Sequence, residues 1–333
     1  MKKIVFTDLE PDDLIALTII KDMDIVIVGE GNANIKYERA KKYLPNITIL
    51  EGMSSKNIFP NDGKDVGIIM KDETKANYDE NNMIKIITDN TCQLIIMKPP
   101  RELYNIWKKF PMLMNKHTTY LSGSFNLRSL VGRSNPDEWN NVILFLESFN
   151  KCFIYENHHA IGPNNNITFT ELGIDSPNAS INAKKLIELY GKLDMDSMNK
   201  SIDKLLPSKI PKEIQRAIFY WDMYNLKDSQ DTVAECDEKL KKDPKSSRLI
   251  SQKERNEKCA KQIISGNFQQ FVASDVFFAI CIDDKSTPWK TCELDFNRET
   301  GYSIPKEVLN STIYFAMPKD KKEFRDKLIK KLL

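Results

Sequence analysis

Residues 4–17 read Ile4-Val5-Phe6-Thr7-Asp8-Leu9-Glu10-Pro11-Asp12-Asp13-Leu14-Ile15-Ala16-Leu17. A short apolar run leads into Asp8, Glu10, Asp12 and Asp13, four acids packed within six positions, and an amphipathic helical stretch follows. Carboxylates this close repel one another, and desolvating them at a strand end is costly unless something positive is present. A cation held by oxygen ligands relieves both costs. Its preferred place is the crevice beyond the carboxyl ends of the strands in an α/β sheet. The competing reading is that Asp8 and Asp12 cap and charge the first turn of a helix. One cap is enough for one helix, so the remaining acids favour the cation.

Asp8 followed by Asp12-Asp13 and Leu14-Ile15-Ala16-Leu17 resembles the N-terminal fingerprint of the nucleoside hydrolases, calcium-dependent enzymes that cleave the N-glycosidic bond of ribonucleosides. The family's Pro-Gly is replaced here by Leu9-Glu10, and its further upstream Asp by Phe6. Later segments agree in order. Ile25-Val26-Ile27-Val28 with Gly29-Glu30-Gly31-Asn32 resembles the second strand, a helix spans Tyr37 to Leu44, and Ile47 to Gly52 reads as the third strand. A helix near Asn82 to Thr91 and the buried run Cys92 to Met97 follow. Lys98-Pro99-Pro100-Arg101-Glu102-Leu103 stands where the family has its Gly-Pro-Leu-Thr-Asn turn. Thr119 to Ser124 resembles the strand ending in Met-Gly-Gly, and Phe271 to Ala279 the late His-Asp-Pro-Leu-Ala segment. Ile313 to Ala316 and Lys321 to Leu332 match the closing strand and helix, so the resemblance runs along essentially the whole chain.

Composition fits an α/β class. A chain of 333 residues with 41% hydrophobic content can bury one large core. Apolar runs of strand length alternate with helical stretches, which predicts a mostly parallel central sheet flanked by helices, with a Rossmann-like core. The expected organisation is a single domain over 1–333, with a charged helical elaboration at 195–267 near the rim of the site. Lys+Arg 49 against Asp+Glu 47 leaves a net charge of +2, which argues against nucleic acid as a partner. Six scattered cysteines without a Cys-x-x-Cys pair suit a cytoplasmic protein with reduced thiols. The first strand begins almost at Met1, so neither a signal peptide nor a membrane span is expected.

Cleaving a ribosyl C–N bond builds positive charge on the sugar, and carboxylates around a calcium ion can supply a base, an activated water and negative charge. The resemblance implies Asp8 as general base and metal ligand. It implies Asp13 and Asp275 as metal ligands and Asp12 as acceptor for a ribose hydroxyl. A carbonyl ligand is expected from the turn at Pro100 or Arg101. Asn32 matches the ribose-binding Asn, against a plain turn residue. Asn126, in Ser124-Phe125-Asn126, matches a Glu-Phe-Asn ribose contact, with Ser124 replacing the Glu. Arg128 and Arg133 in the same loop suit a phosphate or solvent. Tyr220 and Tyr224, four apart on one helical face, stand where the family places aromatics against the base, and core packing is the alternative. Ser274 replaces the family's His, and its hydroxyl does not ionise near neutral pH. His117, His158 and His159 match no motif. The expected substrate is a small nucleoside or N-riboside, the expected assembly a homo-oligomer (dimer or tetramer). A riboside-binding protein on the same scaffold is the alternative function.

Overall fold

The computed structural model describes residues 1–30, 33–53, 77–123, 127, 130, 136–162, 166–168, 171, 195–205, 212–265, 270–297 and 302–333. The chain divides into two compact units. The first comprises Met1–Asp62, Asp72–Asn165 and Ser274–Leu332; the second comprises Gly63–Lys71, Asn166–Ala273 and Leu333.

The first unit opens with β1 (Lys2–Thr7), α1 (Pro11–Ile19), β2 (Ile25–Val28), α2 (Ala33–Tyr43), β3 (Thr48–Glu51), α3 (Glu80–Asp89), β4 (Cys92–Ile96) and α4 (Arg101–Lys109). A 3-10 turn (Pro111–Lys116), β5 (Thr118–Ser122), α5 (Pro136–Glu147), β6 (Lys151–Tyr155) and α6 (Asn157–Ala160) follow. The second unit contributes β7 (Asn166–Thr168), α7 (Met195–Leu205), α8 (Lys212–Leu240), α9 (Ser247–Ile264) and β8 (Gln270–Val272). The chain re-enters the first unit with α10 (Ser274–Asp283), β9 (Trp289–Phe296), β10 (Ser303–Glu307), β11 (Ile313–Ala316) and α11 (Lys321–Leu332).

Nine strands form one sheet in the order β10-β9-β11-β6-β5-β4-β1-β2-β3. β1 to β6 and β11 run parallel to one another, as the sequence predicts. Ile4, Val5 and Phe6 of β1, all of β2, and Leu94, Ile95 and Ile96 of β4 are buried on both faces, as a helix-covered parallel sheet requires. β9 and β10 add an antiparallel edge that the parallel pattern does not reveal. In β9, Cys292, Leu294 and Phe296 are buried while Glu293 and Asp295 are exposed, the alternation of a sheet with one wet face. Pro305 sits in the edge strand β10, where a missing N–H is tolerated. On one face Tyr104 of α4 stacks on Trp107 and meets Phe145 of α5 edge-on, with Phe149 beyond.

The chain lays β2 and β3 to one side of β1 and then returns to place β4 on the other. The switch point between β1 and β4 is where an open α/β sheet gapes at its carboxyl edge. Residue 8 leaves β1 at this place, and residue 97 leaves β4. In the second unit α8 and α9 pack along one another, with Cys236, Ala260 and Ile263 buried and Lys253 Nζ 2.6 Å from Asp237 Oδ1. The helical stretch expected at 195–267 thus belongs to this unit, together with the β7–β8 ribbon. No described helix is long and apolar enough to cross a membrane.

Candidate active site

Two helices aim their N-termini at the switch point and pack against each other. α1 begins at Pro11, which suits a first helical turn, and places Asp12 and Asp13 in that turn. α10 begins at Ser274 and places Asp275 likewise. The positive ends of both helices therefore face three carboxyls. One carboxylate oxygen from each of Asp12, Asp13 and Asp275 lies within 4.8 Å of the others, and Asp12 and Asp13 are buried. Asp8, half-buried in the turn after β1, acts electrostatically on all three and shares a hydrogen bond with Asp13.

Strand-end hydroxyls orient the cluster. Thr7 Oγ1 accepts from the Leu9 amide at 2.8 Å and donates to Asp13 Oδ2 at 2.5 Å. Ser122, the last residue of β5, donates to Asp275 Oδ1. The turn is bent by Leu9, whose φ of 57° is left-handed and strained for a residue with a Cβ. Neither hydroxyl was assigned a role from the sequence; the detectable signal is a Ser or Thr closing a buried strand beside an acidic turn.

Burial is the main force on these acids. It raises the Asp12 carboxyl well above the usual range, with Asp275 and Asp8 adding repulsion against backbone N–H donors from Asp12 and Asp275. Asp13 is raised likewise, by burial and then by Asp8, Asp275 and Asp12. Asp275 is pushed up to about 6 by burial, although hydrogen bonds from Ser122 and Asp13 pull the other way. Asp12 Oδ1 and Asp13 Oδ1 are buried without a hydrogen-bond partner among the described residues. Hard oxygen donors, orphaned lone pairs and mutual repulsion are together the chemistry of a site for an oxygen-seeking cation.

Beside this cluster lies a buried ion network that the sequence did not announce. Lys98, just past β4, is fully buried and donates to both Glu102 oxygens at 2.8 and 2.6 Å. Its Nζ is 4.0 Å from Glu30 Oε1, which also receives Arg101 Nε at 2.9 Å. Glu30 has a left-handed φ of 60°, held by its amide bond to the Met53 carbonyl. Burial raises its carboxyl while Lys98 and Arg101 oppose that rise. Arg101 opens α4, and its guanidinium takes part in this network. The carbonyl role expected at Pro100 or Arg101 remains a proposal.

Of the residues singled out by sequence, the fold brings together Asp8, Asp12, Asp13 and Asp275. Tyr220 and Tyr224 fall on α8 in the second unit. Asn32, Asn126, Arg128 and Arg133 lie outside the described residues. Ser274 Oγ accepts from Asn157 Nδ2 at 2.7 Å. His117 is buried at the opposite edge of the sheet, its Nδ1 accepting from the Cys92 amide at 3.0 Å; burial and Lys116 lower it to about 4.

No protein-family model matches the sequence, and no curated protein matches it. Solved structures do. The purine-preferring ribonucleoside hydrolase from Gardnerella vaginalis superposes with a TM-score of 0.55 at 12% identity, covering 100% of this chain and 98% of that one. The plant nucleoside hydrolase PpNRh1 gives 0.56 at 11% identity, covering 99% and 98%. At such identity the likeness concerns the path of the backbone. By its fold, this chain is a nucleoside hydrolase-like α/β protein.

Proposed function

We propose that this chain hydrolyses the N-glycosidic bond of a ribonucleoside or related N-riboside, releasing ribose and free base. The observation that carries the reading is the Asp12–Asp13–Asp275 cluster at the switch point of a nucleoside hydrolase-like sheet, with two of its buried oxygens orphaned. Asp8, Asp13 and Asp275 would hold a calcium ion, with Asp12 close enough to share it. Calcium, when bound, offsets the gathered negative charge, acidifies water and attracts sugar hydroxyls.

The chain's own groups do the rest. Asp8, half-buried where Asp12 and Asp13 are buried, takes the proton of the attacking water at its carboxylate. Asp12 accepts a hydrogen bond from a ribose hydroxyl and fixes the ring. Asp13 and Asp275, oriented by the Thr7 and Ser122 hydroxyls, place negative charge beside the sugar as it becomes oxocarbenium-like. Asn32 and Asn126 are proposed ribose contacts. Ser274 cannot protonate the departing base, so activation of the leaving group falls to stacking, with Tyr220 and Tyr224 the proposed partners.

Replacing Asp8 by Asn separates this reading from that of a riboside-binding protein. For the hydrolase, Asp8→Asn lowers kcat about 10²- to 10⁴-fold, the usual worth of a general base, while nucleoside affinity falls far less. Unchanged turnover would remove Asp8 as the base. A wild-type chain that binds nucleoside with calcium but never releases ribose would be a binder.

A further inference from the structure

A second polar cluster lies beyond the carboxyl end of β6, and the hydrolytic scheme does not use it. Glu156, the residue after β6, is 3% exposed, and neither of its carboxylate oxygens has a hydrogen-bond partner among the described residues. Ser303, the first residue of β10, is also 3% exposed, and its hydroxyl is likewise unpartnered. His159 of α6 ties the two together: Nε2 lies 3.0 Å from the Ser303 carbonyl and 3.9 Å from Glu156 Oε2. A carbonyl only accepts, so Nε2 carries a proton and donates to it. That proton keeps the ring nitrogen from serving as a ligand and leaves Glu156 beyond hydrogen-bond reach. His158, stacked on Tyr302, and Phe315, against the His159 ring, hem the cluster in.

An ionised carboxylate taken out of water without a donor is among the costliest arrangements a fold can hold. Two buried oxygen-bearing side chains, neither hydrogen-bonded among the described residues and tied to one another through the His159 ring and the Ser303 backbone, suit a positive, oxygen-seeking occupant. The donors are hard oxygens, which exclude soft metals. Glu156 brings a single negative charge, so a single positive charge neutralises it, whereas a divalent ion would leave an excess in a buried place. We propose that Glu156 and the Ser303 hydroxyl bind a monovalent alkali cation, sodium or potassium. This ion would pin the β6–α6 turn to the start of β10. The same turn carries Asn157, whose amide holds Ser274 beside Asp275, so the ion would steady one wall of the candidate active site.

The test is thermal unfolding of the full chain in sodium, potassium or tetramethylammonium chloride at equal ionic strength, with EDTA present to keep divalent ions from the aspartates. The wild type should melt a few degrees higher in one alkali salt, and the rise should saturate with concentration. Glu156→Gln keeps the shape and removes the charge, so it should lose that dependence. Should Glu156→Gln fail to fold, Ser303→Ala serves, since loss of one ligand moves the saturation midpoint to higher salt. Identical melting of the wild type in all three salts would overturn the proposal. Retention of the full alkali effect in Glu156→Gln or Ser303→Ala would overturn it too, placing the ion elsewhere.

Discussion

At the scale of single residues, the acidic cluster is legible in sequence because spacing alone puts Asp8, Asp12 and Asp13 in one turn. Asp275 is not reachable by spacing; it entered through the resemblance of its flanking segment, and the fold sets it against the other three. Ser122 and Thr7 escaped notice because a hydroxyl at a strand end has no periodic signature until its partner is in place. The cluster also dictates a pH dependence. Asp275 keeps its proton to about 6 in the folded chain, whereas an unfolded aspartate releases it at about 4. Between these values the folded state binds more protons, so stability falls as pH rises. Asp12 and Asp13, raised by burial, act in the same direction. Below about 4 the opposite holds for Asp284, lowered to about 2 chiefly by its Lys331 and Ser286 partners against a burial effect that raises it. Melting temperatures in EDTA should therefore fall from pH 5 to 8, and added calcium should restore more stability at pH 8 than at pH 5. A calcium effect that is the same at both pH values would count against ionised carboxylates as its receptor.

At the scale of elements, the strands β1, β2 and β4 are predictable from their unbroken apolar runs, and the closing β11–α11 pair was read to the residue. The antiparallel β9–β10 edge was not, because it lies between segments that match parallel units. Least legible was the joint where β2, β3 and α4 meet, since a Lys in a turn reads as surface. Two glycines explain why it can be buried there. A Cβ on Gly29 would stand 2.9 Å from Lys98 Nζ, and one on Gly52 would stand 2.6 Å from Glu102 Oε1 and 3.1 Å from the Gly29 Cα. Gly52→Ala should accordingly cost about 1–3 kcal/mol through overpacking. Lys98→Met strands Glu102 as a buried carboxylate, while Glu30 keeps Arg101, and should cost about 3–5 kcal/mol; Lys98→Met with Glu102→Leu recovers most of that loss. Urea unfolding of the three variants measures both effects. A single Lys98→Met that unfolds like the wild type would mean that the network carries no charge in the folded state.

At the scale of the molecule, fold class and site location follow from one topological fact: the strand order reverses at β1/β4, and the acidic turn leaves β1 there. The order of segments made the nucleoside hydrolase-like architecture legible, although identity to the solved structures of like fold is only 11–12%. Residues of the second unit gave only helical periodicity, from which neither the β7–β8 ribbon nor the buried Asp222 of α8 can be read. The most direct trial of the central claim is ribose release, followed as reducing sugar, from purine and pyrimidine nucleosides with calcium present or chelated. Release that needs calcium, and that is lost in Asp13→Asn, is the predicted result. Equal release with and without calcium, or none from any nucleoside while calcium leaves the melting temperature unmoved, would contradict it.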